Sequence, residues 1–123
     1  MKRSTFVLIA SIIGFIFGLG FLISPNGALS LYGVKMDPVG VFIGRYFGSA
    51  LLGVAVTWFL ASRTDTTEGL LKAGLFGGFV LGVTGLIVAI WDGIAGTANS
   101  LVWINTLIYA FLSIGFGYFY FKK

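Results

Sequence analysis

Four apolar runs, at about residues 5–23, 39–61, 70–91 and 101–121, decide most of what this chain can fold into. Each is close to the roughly 20 residues that a helix needs to cross ~30 Å of hydrocarbon at ~1.5 Å per residue. Inside a bilayer no water satisfies the backbone, so a spanning segment is either a helix or part of a closed barrel. Barrel strands alternate apolar and polar residues over about ten positions. These runs are continuously apolar, which argues against a barrel. Composition agrees: 10% of the 123 residues are charged and 58% are hydrophobic, where a soluble domain carries roughly 25% charged residues. The expected fold is all-α: an integral membrane four-helix antiparallel bundle, one domain over residues 1–123, with a short interfacial helix between spans 1 and 2.

Local signals divide the runs. Lys2 and Arg3 precede the first run, as they would in a signal peptide. That apolar core would be only about 7–15 residues long, with small residues at a cleavage site. Phe21-Leu22-Ile23-Ser24-Pro25 offers no such site, so a retained first helix is expected. Ser24-Pro25 reads as N-cap and first helical residue, and Gly33 as the stop, of a short helix over 25–32. Asp37-Pro38 repeats the start signal. Asp65 with Glu68 three residues on resembles a capping box for span 3. The segment 92–100 reads as a loop, with Thr97 or Asn99 as the next cap.

The cations give an orientation. With the N-terminus cytoplasmic, Lys2, Arg3, Arg63, Lys72, Lys122 and Lys123 all fall inside and Lys35 outside. The excess of Lys and Arg on one side predicts both termini in the cytoplasm, in the manner of a bacterial inner-membrane protein. Trp58, Trp91, Trp103, Tyr118 and Tyr120 cluster toward span ends, where amphipathic rings settle. Trp91 and Trp103 are read as such anchors, with stacking on a planar ligand such as a quinone as the alternative. The net charge of +4 does not point to nucleic acid, because the cations sit at the ends of runs and form no stripe.

Nineteen glycines are about twice the usual share of roughly 7%. In lipid, small residues let helix backbones approach closely. Gly14 and Gly18 are four apart in span 1, Gly44 and Gly48 in span 2, and Gly74, Gly78 and Gly82 form a ladder in span 3. Two uses are open: packing within one bundle, or self-association of copies through the span 3 ladder.

Arg45 is the one cation well inside a span. An intramembrane charge is costly and calls for a partner or a function. Six residues past Val39, it lies ~9 Å into the membrane. It shares a helix face with Gly48 and Ser49, so it is expected to face a neighbouring helix. Asp92 ends span 3 on the same side, and Asn105, Tyr109 and Ser113 form a stripe at four-residue spacing on span 4. Thr84 shares a face with Asp92. Arg45, Asp92, Asn105 and Tyr109 are therefore the candidate cluster, with Arg45 paired to Asp92 and to the Asn105 amide. The cluster either fixes helix register or forms a pocket holding an anion such as a phosphate or carboxylate. The third option is an Arg45 that snorkels to the headgroups.

The chemistry excluded is broad. There is no Cys and no His, which removes thiol redox, most zinc sites and the usual neutral-pH general base. No catalytic residue, metal or cofactor is expected. The acids are Asp37, Asp65, Glu68 and Asp92, none deep in a span, so a proton-coupled pump lacks its buried carboxylate.

Three stretches carry a family resemblance. They are Pro25-Asn26-Gly27 with Leu31-Tyr32-Gly33, then Arg45-Tyr46-Phe47-Gly48-Ser49-Ala50-Leu51-Leu52-Gly53, then Trp103-Ile104-Asn105-Thr106-Leu107-Ile108-Tyr109. In these the chain resembles small four-span bacterial membrane proteins of the DoxX-like type and their uncharacterised relatives. The resemblance implies a four-helix fold. DoxX is implicated as a membrane subunit in thiosulfate:quinone oxidoreduction, but this chain has no thiol, His or haem motif to carry such chemistry.

The expected function is non-enzymatic. It is that of an accessory or scaffold subunit, or of a binder of a lipid-like or anionic ligand in an outer-half pocket around Arg45. Its partners would be membrane lipid, a small hydrophobic or anionic ligand, and further copies or a larger membrane complex. The alternative is a small oligomeric transporter or channel assembled through the span 3 glycines. A membrane enzyme would have to use Asp92 or Tyr109 as acid–base groups, with no nucleophile evident.

Overall fold

A computed structural model describes residues 2–33, 35, 37–96 and 99–122. Five helices account for nearly all of them: α1 Arg3–Ile23, α2 Pro25–Ser30, α3 Pro38–Ala61, α4 Thr67–Ala95 and α5 Val102–Phe121. The four long ones are each long and apolar enough to cross a membrane. The fold is an all-α four-helix bundle, and its composition is that of an integral membrane protein.

The starts follow from side-chain capping. Ser24 Oγ accepts from the Gly27 amide at 3.1 Å and Asp37 Oδ1 from the Gly40 amide at 2.8 Å, each ahead of a proline at the first helical position. These contacts satisfy amides that have no partner inside the helix. Helix α2 ends at Ser30 and passes through a turn to Gly33, whose φ of 73° suits glycine alone.

Helix α4 departs from expectation at both ends. Its N-cap is Thr66, whose Oγ1 accepts from the Gly69 amide at 3.0 Å, in place of Asp65. Its C-terminus runs on through Asp92 to Ala95 and stops at Gly96, which has a left-handed φ of 71°. The start of the expected 92–100 loop is thus helical. Asp92 does not break the helix because it is packed inside the fold against a cation. At 29 residues, α4 is ~44 Å long and overshoots the hydrocarbon. Thr97, one of the two expected caps of α5, lies outside the described residues. Asn99 Oδ1 accepts from the Leu101 amide at 3.0 Å, just before α5 begins.

The long helices pack in chain order: α1 on α3, α3 on α4, α4 on α5. Among the described residues no other pair of long helices comes into close backbone contact. Each packed pair is antiparallel. Gly14 faces Ala55 while Gly48 faces Leu22; Gly53 faces Leu81 while Gly77 faces Thr57; Gly78 faces Phe116 while Gly93 faces Trp103. The core is made of small residues, with Ser11, Ser49, Ala55 and Ala89 fully buried. Outward, α1 exposes Ile9, Ile13 and Ile16 and α5 exposes Leu107, Phe111 and Ile114, as lipid-facing surfaces require.

The glycines differ in what they face. A Cβ on Gly48 would stand 2.5 Å from the Leu22 amide nitrogen, and one on Gly18 3.1 Å from the Leu52 amide nitrogen. On α4, a Cβ on Gly82 would stand 2.7 Å from the Ser113 amide nitrogen and one on Gly78 2.8 Å from the Phe116 ring. Gly44 is buried. Gly74 differs from the expected ladder: a Cβ there meets nothing within 4 Å. The reason is rotation. Four residues advance a helix by roughly 400°, so each rung drifts ~40° and Gly74 has turned ~80° away from Gly82. Gly77 and Gly85, three residues from rungs of the ladder, abut Thr57 and Tyr109 instead.

Candidate functional site

In the half of the bundle near α2, α3 and α4 carry the only ion pair among the described residues. Arg45 Nη1 lies 3.5 Å from Asp92 Oδ1. Antiparallel packing makes this possible, since Arg45 is two turns from the start of α3 and Asp92 one turn from the end of α4. The pair is lopsided. The Asp92 side chain has 0% exposure, whereas that of Arg45 has 27%. A guanidinium carries five N–H donors in a planar fork. One contact with a carboxylate oxygen leaves donors for a second anion on the exposed side.

That exposed side opens onto a groove. About 290 Å³ in volume, it is lined by Leu22 of α1, Arg45 of α3, and Thr84, Ile87, Val88 and Trp91 of α4. The α4 residues follow i, i+3, i+4, i+7 spacing, which puts them on one face. Among the described residues the backbones of α1 and α4 do not come close, and α3 packs against both. The groove is apolar except for the guanidinium and the Thr84 hydroxyl. That hydroxyl is already engaged, at 2.6 Å from Ser49 Oγ and 2.8 Å from the Val80 carbonyl oxygen. Trp91 lines the groove wall, while Trp103 packs over Gly93.

Asn105 and Tyr109 sit elsewhere from where the sequence suggested. The Asn105 amide nitrogen donates to Tyr46 Oη at 3.4 Å, at the long end of a hydrogen bond, and among the described residues the Asn105 amide makes no hydrogen bond with Arg45. The Tyr109 ring stacks on Tyr46, with centroids 5.4 Å apart and planes 12° apart. Tyr46, Asn105 and Tyr109, with Leu81, Ile108 and Leu112, line a second cleft of about 250 Å³ between α3, α4 and α5. The candidate cluster is thus two sites. Arg45 and Asp92 belong to an ion pair beside one groove, and Asn105 and Tyr109 to an aromatic cleft beside another.

Tyr46 is the site residue that sequence reasoning passed over, and Ser49, read there only as part of a packing face, also forms a polar link to α4. Tyr46 follows Arg45 directly and sits four residues after Phe42, whose ring it meets edge-on at 5.2 Å. Ser49 is fully buried and, besides Thr84, lies 3.1 Å from the Leu81 carbonyl oxygen. Its place beside Gly48 and Gly53, at a helix-contact spacing, was the readable sign. Among the described residues no three His, Cys, Asp or Glu side chains gather to hold a metal.

Comparison with known proteins returns nothing: no family model, no curated protein and no solved structure matches the chain. Fold and site therefore stand on their own. They define a class: a four-helix integral membrane protein with a buried carboxylate, a partly exposed arginine and an apolar groove beside them.

Proposed function

We propose that this protein is a non-enzymatic membrane protein that takes an anionic amphiphile into the Arg45 groove. One observation carries the reading: an arginine whose side chain is 27% exposed lines a groove whose other lining residues are Leu22, Thr84, Ile87, Val88 and Trp91. The walls suit a hydrocarbon tail and the cation suits a carboxylate or phosphate head. Asp92 holds the guanidinium in place and offsets the cost of keeping it in the membrane. The resemblance to DoxX-like four-span bacterial proteins fits such a role in an accessory or scaffold subunit of a larger inner-membrane complex. The Lys and Arg distribution supports both termini in the cytoplasm, which puts the groove in the outer half of the membrane.

The oligomeric channel is less well supported. Two of the three α4 ladder glycines are engaged within the chain, Gly78 by Phe116 and Gly82 by Ser113. Native mass spectrometry of the full chain in mild detergent tests the reading. Oleate added as probe is expected to bind as one copy per chain. It should be lost in an R45Q/D92N double variant, which removes both charges and leaves no orphaned ion. Undiminished oleate binding by that variant, with its helicity intact, would overturn the reading.

A further inference from the structure

The opposite end of the bundle holds a larger opening that the Arg45 groove does not explain. A crevice of about 860 Å³ lies where α1 begins, α3 ends and α4 begins. It is lined by Lys2, Arg3 and Arg63, with Asp65 as the single acid, and its apolar lining includes Val7 and Leu70. Among the described residues none of the three cations makes an ion pair, Asp65 included. Three positive charges and one negative thus line one cavity, which leaves it an excess of positive charge. The volume falls within the roughly 300–1,000 Å³ of small-molecule sites.

We propose that this crevice is a second binding site, which takes the phosphate-bearing headgroup of an anionic phospholipid. Its position makes the choice of ligand. It lies at the ends of helices long and apolar enough to cross a membrane, and it is lined by both charged and apolar residues. A phosphodiester meets Lys2, Arg3 and Arg63 while the glycerol and the first methylenes meet Val7 and Leu70. A free phosphate has no use for those apolar residues. A zwitterionic lipid brings a cation of its own against Lys2, Arg3 and Arg63. Clusters of Lys and Arg at a membrane surface attract anionic lipid by about 1 kcal/mol per cation, and here the fold draws three such residues around one cavity. The site shares α1, α3 and α4 with the Arg45 groove but none of its lining residues, so the two assignments stand or fall separately.

Native mass spectrometry on the full chain, with dioleoyl phosphatidylglycerol, dioleoyl phosphatidylcholine or inorganic phosphate as probe, tests this. Phosphatidylglycerol is expected to bind more tightly than phosphatidylcholine. Its affinity should fall about fivefold for R63Q and about 25-fold for R3Q/R63Q, with R63K restoring most of it. K122Q serves as control. Lys122 is at the same end of the bundle but outside the crevice, 5.5 Å from the centre of the Tyr118 ring. Equal binding of the two lipids would overturn the proposal. So would a loss in K122Q matching that in R63Q, which reports surface charge alone. Displacement of phosphatidylglycerol by millimolar inorganic phosphate would reassign the site to a free anion. An R45Q/D92N protein that keeps phosphatidylglycerol binding separates this site from the groove.

Discussion

Arg45 and Asp92 meet at 3.5 Å with unequal burial, the Asp92 side chain at 0% exposure and the Arg45 side chain at 27%. The inequality predicts unequal costs of substitution. Arg45→Ala takes a cation from a fully buried carboxylate and is expected to destabilise by up to about 3 kcal/mol, since breaking a buried pair costs about 3–5. Asp92→Asn leaves a cation that reaches polar headgroups by extending its side chain, at about 1–2 kcal/mol. The R45Q/D92N pair is expected within about 1 kcal/mol of the wild type, because it removes both ions at once. Denaturation of the detergent-solubilised protein, followed through tryptophan fluorescence, ranks the three. Equal losses in the two single variants would show that burial does not set the balance.

Gly48 and Gly74 give a second contrast. A Cβ on Gly48 would lie 2.5 Å from the Leu22 backbone nitrogen, while one on Gly74 meets nothing within 4 Å. Backbone cannot rotate away as a side chain can, so Gly48→Ala must push α1 from α3. Overpacking of this kind costs about 1–3 kcal/mol. Gly74→Ala is expected to be neutral or stabilising by up to about 1 kcal/mol, the difference in helix propensity. A thermal melt of each variant in the same detergent checks both signs.

What the sequence could and could not reveal follows from the same physics. The four spans were readable because the bilayer sets one length and forbids polar interruption, so α1, α3 and α5 differ from the expected runs by only a few residues. The caps at Ser24 and Asp37 were readable because each precedes a proline. The end of α4 was not. An Asp at the edge of an apolar run looks like a loop until its cation on α3 is known. Arg45 was marked by its charge, but Asn105 was assigned to the wrong partner. A helix wheel gives the face of a residue and not the rotation of one helix against the next. Tyr46 went unnoticed because an aromatic residue in a span looks like its lipid-facing neighbours until the Tyr109 ring is seen beside it.

Ser49 and Thr84 join α3 to α4 through hydroxyls 2.6 Å apart. Both are also satisfied within or across the helices, Ser49 at the Leu81 carbonyl and Thr84 at the Val80 carbonyl. A double-mutant cycle of Ser49→Ala and Thr84→Val is expected to give a coupling of about 0.6 kcal/mol and no more than about 1.7, the range for hydrogen bonds between membrane helices. The loss of Thr84 alone should also weaken oleate binding only slightly, because its hydroxyl is committed to the protein. A coupling near zero would show that the two hydroxyls act independently.

Tyr46 and Tyr109 stack in parallel at 5.4 Å and, with the Asn105–Tyr46 hydrogen bond, bridge α3 and α5, two helices without close backbone contact among the described residues. Rings at this spacing contribute about 0.5–1.5 kcal/mol beyond their buried area. Tyr109→Leu is therefore expected to destabilise by at least that amount and to loosen α5 first, because α5 would then be held by α4 and by the long Asn105–Tyr46 bond. Tyr46→Phe keeps the stack and removes the acceptor for Asn105, whose bond at 3.4 Å is long, so a loss of only about 0.5 kcal/mol is expected. Tyr109→Phe should be near neutral, since among the described residues its hydroxyl makes no hydrogen bond. Hydrogen exchange in detergent resolves the order: in Tyr109→Leu the amides of α5 should lose protection before those of α3. Uniform loss across all four long helices would mean that α5 is held as part of one cooperative unit, and not by this stack.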